Sequence, residues 1–398
     1  MRIDTKRTIP NESRVCNPSK AALQSEQAMS IKYNNMVYEM QKDKVDVIVL
    51  SLGEAFFDIP LFPFDDLPFP QLYHYSHSRG LPELRESLAG YFREQYGVRF
   101  DPAKEIIVTA GSKIAIHMAL MAILDPGDEV LIHEPAWVSY PEQVRLCHAR
   151  PVQVPHDVDV SGFEKFITPR MKAIIINNPN NPRGYVFTEA ELRRICDLAE
   201  KHNLFVVSDE AYSDFLPEGE RFVSLGVLDP EKRRSIICNS ISKNYGISGW
   251  RLGYVIANPG ITDQILKINQ HLITCPATIL QLYIAKHFSE IIRITKPQIA
   301  EVVRKRKLVA SHMDRIGLKY LPGEATFYFF VSIAGSSLTS EEFCTKLLVE
   351  KHVSTVPGLG YGKSCDGFIR VSVGTESMER TLRGIDAVKA LIDATRTR

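Results

Sequence analysis

The densest chemistry in this sequence lies in Ser240, Ser242 and Lys243, with Arg251 eight residues further on between Gly249 and Gly253. A lysine amine condenses with an aldehyde to form a Schiff base. Serine hydroxyls and a guanidinium hold a phosphate, and glycines let backbone approach a flat ring closely. Most of the 48 lysines and arginines must be solvated surface charges, but Lys243 sits among small, uncharged neighbours. The stretch therefore suits a ligand that is both an aldehyde and a phosphate ester.

Pyridoxal 5′-phosphate (PLP) is such a ligand, and proteins hold it through a lysine. Its ring withdraws electrons only while the pyridine nitrogen is protonated, which a buried carboxylate beside it secures. Asp209, in Ser208-Asp209-Glu210-Ala211-Tyr212, follows an apolar run and suits that task, although an aspartate after a strand equally caps a helix. The Tyr212 hydroxyl either reaches the ring's phenolic oxygen or packs in the core. Gly111, Ser112 and Lys113 open a helix after a strand, where free backbone N–H groups and the Ser112 hydroxyl favour a phosphate. Arg370, in Phe368-Ile369-Arg370-Val371-Ser372, is a charge inside apolar strand texture. Burying it is costly unless a carboxylate pairs with it, either an internal one or a substrate's.

These residues are far apart in sequence, so the scaffold must gather them. The 398 residues are enough for two domains and a large core. Hydrophobic content of 44% and charged content of 24% are ordinary for a globular enzyme. A net charge of +1 gives no reason to expect a nucleic-acid or membrane partner. No apolar run is long enough to span a bilayer and no signal peptide is evident, so a cytoplasmic location is expected. The seven cysteines are scattered without a Cys-x-x-Cys pair, which argues against a disulfide framework or a metal cluster.

Residues 1–25 are polar and read as an arm. Short apolar runs at 45–50, 106–109, 130–132, 173–176, 204–208, 236–238 and 254–256 predict strands. The spacing of Leu84, Leu88, Tyr91 and Phe92 predicts a helix over 82–96 stopped by Gly97, and another helix is expected over 113–124. Thr188 and Glu191 form a capping box for a helix running to His202. Strands alternating with helices imply an α/β fold whose large domain has a mostly parallel sheet flanked by helices. Ligands sit outside the carboxyl ends of such strands, where Asp209 and Ser240 fall. A basic helix over 296–316 and strands over 326–332 and 368–373 form a smaller α+β domain. The expected division is an arm at 1–25, part of the small domain at 26–60, the large PLP-binding domain at 61–290 and the remaining small domain at 291–398.

Ser-x-Ser-Lys followed by Gly-x-Arg-x-Gly, the Asp209-to-Tyr212 spacing and Asn178-Pro179-Asn180-Asn181-Pro182-Arg183-Gly184 together resemble the class I/II aminotransferases of PLP fold type I, in the aspartate aminotransferase-like subgroup I-gamma. The likeness runs from about Leu52 to the C-terminus. It departs at Arg183, where threonine is usual, and in Gly53-Glu54-Ala55-Phe56-Phe57, where G-E-P-D-F is usual. The resemblance implies that Lys243 binds PLP and carries the substrate's Cα proton, with Asp209 at the ring nitrogen and Tyr212 at the ring oxygen. It implies that Asn181 contacts the ring oxygen and helps place the substrate carboxylate. Trp137 would stack on the ring, a role compatible with core packing. Gly111, Ser112, Lys113, Ser240, Ser242 and Arg251 would form the phosphate cup. Arg370, aided by backbone near Gly53, would grip the α-carboxylate. Tyr75 would reach the phosphate of a neighbouring subunit, which implies a homodimer.

In acid-specific members of that subgroup, residues at the positions of Lys113 and Ser30 contact a distal carboxylate, so a mild preference for aspartate or glutamate is expected. Lys113 is otherwise a solvated residue of the first helical turn. The implied activity is ping-pong transfer of an amino group from an L-amino acid to a 2-oxo acid. The same site also suits a PLP-dependent lyase, cyclase or oxidase, because pocket shape selects among the reactions the cofactor offers. A PLP-binding regulator would need a DNA-binding module, and the chain has no spare or basic domain for one.

Overall fold

This computed structural model describes residues 18–19, 22–23, 25–65 and 67–396; most of the expected arm lies outside the described residues. The first strand, β1 (Ile48–Val49), is only the middle of the run expected over 45–50. The central sheet follows with β2 (Ile106–Thr109), β3 (Glu129–His133), β4 (Arg150–Val154), β5 (Met171–Asn177), β6 (Phe205–Asp209), β7 (Ser235–Ser240) and β8 (Gly253–Ile256). Its spatial order is β2-β8-β7-β6-β5-β3-β4. β8 runs antiparallel to both neighbours and every other adjacent pair is parallel.

The continuous apolar runs become strands covered on both faces. Val206 and Val207 are adjacent in β6 and point to opposite sides. Val207 joins Ile116, Leu120, Val130 and Val255 in one core cluster. Val206 joins Ile174, Ile176, Leu192 and Ile195 in another, beneath the helix Glu189–Lys201. That helix starts with the expected capping box, Thr188 and Glu191 each bonding the other's backbone N–H. The helix Pro82–Tyr96 ends at Gly97 as expected.

The remaining strands are β9 (Tyr328–Ser332), β10 (Val353–Ser354), β11 (Val356–Pro357) and β12 (Phe368–Ser372). β12 lies between β11 and β9, antiparallel to each, and β1 pairs in parallel with β10. The helix Met29–Lys42 and β1 share a core with this C-terminal part through Tyr33, Val37, Ile48, Phe343, Leu347 and Ile385. Arg370 sits inside β12, opposite Phe330 on one side and Val356 on the other. The helix expected over 296–316 starts earlier and spans Phe288–Arg315, with Pro297 inside it. Beside that proline, Gln298 Nε2 donates to the Ile294 carbonyl at 3.0 Å. No helix among the described residues is long and apolar enough to cross a membrane.

Candidate active site

β5 and β6 pair in register with Asn177 opposite Asp209, which brings the polar ends of both strands to one edge. Asn177 Nδ2 donates to the Asp209 carbonyl at 3.0 Å, and Asn177 Oδ1 accepts from Asn181 N–H at 2.6 Å. The Asn-Pro loop is thereby tied to the residue beside it. Asp209 is 6% exposed. Tyr140 Oη donates to its Oδ2 at 2.6 Å and the Ala211 N–H to its Oδ1 at 3.2 Å. Burial pushes the carboxyl up to about 6, against those two hydrogen bonds and the charge of Lys243.

β7 ends at Ser240, whose Oγ accepts from the Ser242 N–H at 2.9 Å and caps the short helix Ile241–Asn244. Lys243 lies on that turn and donates through Nζ to the Gly53 carbonyl. Burial pushes its amine down to about 8; Glu54 favours the charged form, Arg370 and Arg251 oppose it, and Asp209 favours it.

A cavity of about 360 Å³ opens over these groups. Asp209 and Ser240 line it from the ends of β6 and β7, and Tyr212, Ser242 and Lys243 from the turns that follow them. Ser112, Lys113, Trp137, Asn181 and Arg251 line it from the surrounding loops and helix starts. Ser30, Gly53 and Arg370 complete the wall. Gly111 is not part of the lining, but it is needed there. Its φ is +93°, and a Cβ on it would lie 2.7 Å from Arg251 Nη2, so the bare Cα lets the guanidinium lie against the start of the helix Ser112–Ile123. Tyr75 stands apart, 88% exposed and outside the cavity of its own chain.

Arg370 is 3% exposed. Its Nη2 donates to the Ser51 carbonyl at 2.5 Å and its Nη1 to Asn181 Oδ1 at 3.3 Å, and the guanidinium also lies against Tyr361. Its guanidinium lies 4.6 Å from the Tyr328 ring centre. Among the described residues no carboxylate pairs with Arg370, Arg251, Lys113 or Lys243. The internal ion pair that could have explained a buried Arg370 is therefore absent among them. Tyr212 Oη and Tyr328 Oη are 2.9 Å apart, and burial holds both hydroxyls above their usual range. Lys113 Nζ lies 5.2 Å over the Trp137 ring, and burial followed by Arg251 lowers its pKa.

Sequence reasoning missed Tyr140, Tyr328 and Glu54. Tyr140 is three residues beyond Trp137 on an unanticipated helix, Ser139–Leu146, and bonds Asp209 across the sheet end. Tyr328 lies in a strand that was expected, with nothing local to mark it. Glu54 was visible only as part of an altered motif.

The residues fit PLP. Arg251 and the start of a helix meet the needs of a phosphate, a buried carboxyl suits a ring nitrogen, and an amine held below its usual range suits an aldehyde. Residues 33–387 match the family described as aminotransferase class I and II. An aspartate aminotransferase of Pyrococcus abyssi is 36% identical over 366 residues, covering 88% of this chain and 94% of that protein. The aromatic-amino-acid aminotransferase 2 of Thermococcus litoralis is 33% identical, covering 88% and 94%. The solved structure of Thermus thermophilus aspartate aminotransferase with maleate superposes with a TM-score of 0.85 at 30% identity, covering 95% of this chain and all of that one.

Proposed function

The chain belongs to the class I and II aminotransferases, PLP-dependent enzymes of amino-acid transamination, and from that premise we propose that this cavity is where an L-amino acid and a 2-oxo acid exchange the amino group in ping-pong fashion. The observation that carries the reading is Arg370, buried beside Lys243 and Asp209 with no carboxylate paired to it among the described residues. When bound, PLP supplies an electron sink that acidifies the substrate's Cα–H. Asp209 keeps a negative charge within the sheet end, steadied by Tyr140. Arg251, Ser112, Ser240 and Ser242 would hold the phosphate with the backbone beside Gly111. Arg370 takes the α-carboxylate and, with Asn181 and the backbone near Gly53, fixes the direction of the Cα–H bond. Lys243, whose buried amine would anchor PLP, would take and return the Cα proton. Tyr212 would steady the ring oxygen and Trp137 would pack on the ring, since both line the cavity.

Lys113 and Ser30 line the same cavity, which supports a mild preference for aspartate or glutamate as donor. The relative named for aromatic amino acids favours a second reading, an aromatic donor against Trp137. Residues 26–60 and 291–398 form the small domain in this reading, and 61–290 the large one; the core shared by Tyr33, Ile48 and Phe343 supports it. The active unit is a homodimer, which the exposed Tyr75 supports, and the cytoplasm is its location, which the six free cysteines among the described residues support.

The test is spectral. A visible band on the PLP-loaded protein should bleach with the true donor and return with a 2-oxo acid, and Lys243→Ala should lack both changes. Bleaching that no oxo acid restores would replace transamination with elimination, cyclisation or oxidation. Lys113→Ala should lower bleaching by aspartate relative to tyrosine; an unchanged ratio would remove the acidic preference.

A further inference from the structure

A chain of hydrogen bonds lies outside the cavity lining and touches the lysine segment from both sides. Asn239 and Asn244 are buried, one residue before Ser240 and one after Lys243. Their Nδ2 groups converge on Ser213 Oγ at 3.3 and 3.1 Å. Ser213 Oγ lies 2.9 Å from Tyr96 Oη, which in turn donates to Asp214 Oδ1. Tyr91 Oη donates to the other carboxylate oxygen, Oδ2.

The direction of every link follows from one charge. An ionised carboxylate only accepts, so both tyrosine protons point to Asp214. Tyr96 then has no proton left, and its oxygen accepts from the Ser213 hydroxyl. The lone pairs of Ser213 are left for the two amides. Asn239 must therefore turn its Oδ1 away from Ser213, and that oxygen accepts the Ser240 N–H at 2.6 Å, at the start of the turn carrying Lys243. We propose that Asp214 is a positioning residue for Lys243, acting through Tyr96 and Ser213 to orient Asn239 and Asn244 and so hold the turn that presents the amine to Gly53.

Burial raises the Asp214 carboxyl, while its two tyrosine bonds and Lys296 favour its charge. Among the described residues the Tyr245 and Tyr254 hydroxyls, whose own ionisation Asp214 opposes, are buried without hydrogen-bond partners. The charges that shift Lys243 most are Glu54, Arg370, Arg251 and Asp209, and Asp214 reaches the turn carrying the amine through hydrogen bonds. The inference rests on Lys243 as the reactive amine of the proposed site.

Three variants test it. Asp214→Asn removes the charge that fixes both tyrosine protons: its amide accepts from one tyrosine and donates to the other, so the direction of the Tyr96 link is no longer set. Tyr96→Phe breaks the chain, whereas Tyr91→Phe removes an equally buried hydroxyl from the same carboxylate and leaves the chain intact. The first readout is the rate of Lys243 acylation in cofactor-free protein, followed by mass spectrometry. Asp214→Asn and Tyr96→Phe should change it several-fold, Tyr91→Phe should not, and Asp214→Glu should restore it in part. The second readout is the visible band with PLP, together with a fall in kcat at unchanged KM, in the same two variants. Equal effects from Tyr96→Phe and Tyr91→Phe, or no effect from either, would overturn the positioning role. Wild-type protein that never develops a visible band with PLP would instead remove the cofactor reading, and the acylation comparison would still decide the role of Asp214.

Discussion

Lys243 in the cofactor-free protein is surrounded by opposing charges, and their signs predict how its amine titrates. Burial lowers it to about 8, Glu54 favours the ammonium form and Arg370 disfavours it. The neutral amine is the reactive form, so acylation rises as pH rises through about 8 and levels off above. Glu54→Gln should move that midpoint down and Arg370→Met should move it up; one direction for both would show that burial alone sets it. Asp209 gives a second prediction. Its carboxyl is raised to about 6 by burial, and the Tyr140 hydrogen bond works against that rise. Tyr140→Phe removes a bond to a charged group, worth about 1.5–3 kcal/mol, so PLP should bind roughly tenfold more weakly at neutral pH. The deficit should shrink at higher pH, where the carboxyl ionises regardless, and equilibrium titration at two pH values checks it. Lys243, Asp209 and Arg370 were legible in sequence because each sits in a short motif with an unusual charge pattern. Tyr140 and Tyr328 were not, because their contacts with Asp209 and Tyr212 join residues 69 and 116 positions apart.

One close backbone approach among the elements that hold these residues is at Gly253. A Cβ on Gly253 would lie 2.3 Å from Ser112 N, 2.6 Å from the Gly111 carbonyl carbon and 3.0 Å from the Asn239 carbonyl oxygen. All three are backbone atoms at the helix start and at β7, so none can yield cheaply. Gly249, in the same motif, has open space where a Cβ would sit, with nothing within 4 Å. Gly253→Ala should therefore cost about 1–3 kcal/mol of stability and weaken phosphate binding, while Gly249→Ala changes little. Thermal unfolding and PLP titration of the pair check this; equal loss would mean that flexibility, not contact, is what the motif's glycines supply. The buried strands were legible because they are unbroken apolar runs. β1 came out shorter because only Ile48 and Val49 of the run at 45–50 form ladder pairs, with the two residues of β10. The helix Phe288–Arg315 came out longer because tertiary packing of Phe288 and Ile291 carries it through its proline.

At the scale of the whole molecule, the smaller part is fastened to the larger one next to the cavity. Glu134 is buried and its carboxylate accepts from the N–H groups of Lys363 and Ser364 at 3.0 and 2.9 Å. The Ala136 N–H donates to the Tyr361 carbonyl at 2.9 Å, one residue before Trp137. These bonds fix Arg370's side of the cavity against the side that carries Trp137, yet they leave Tyr75 outside. An exposed tyrosine beside exposed Phe69 and Tyr73 is an unusual amount of aromatic surface for one chain to leave in water. If a second copy covers it, each site is built from two chains, and complementation follows from the geometry. Lys243→Ala lacks the anchoring amine but keeps Tyr75; Tyr75→Phe keeps the amine but lacks the hydroxyl. Neither homodimer holds PLP normally, whereas a mixed dimer has one site in which an intact Lys243 meets an intact Tyr75. Co-expressed variants carrying different tags, isolated as the mixed species, should bind one PLP per dimer with wild-type affinity. Binding no tighter than that of Tyr75→Phe alone would confine Tyr75 to its own chain, and recovery of the tight site would assign it to the neighbour.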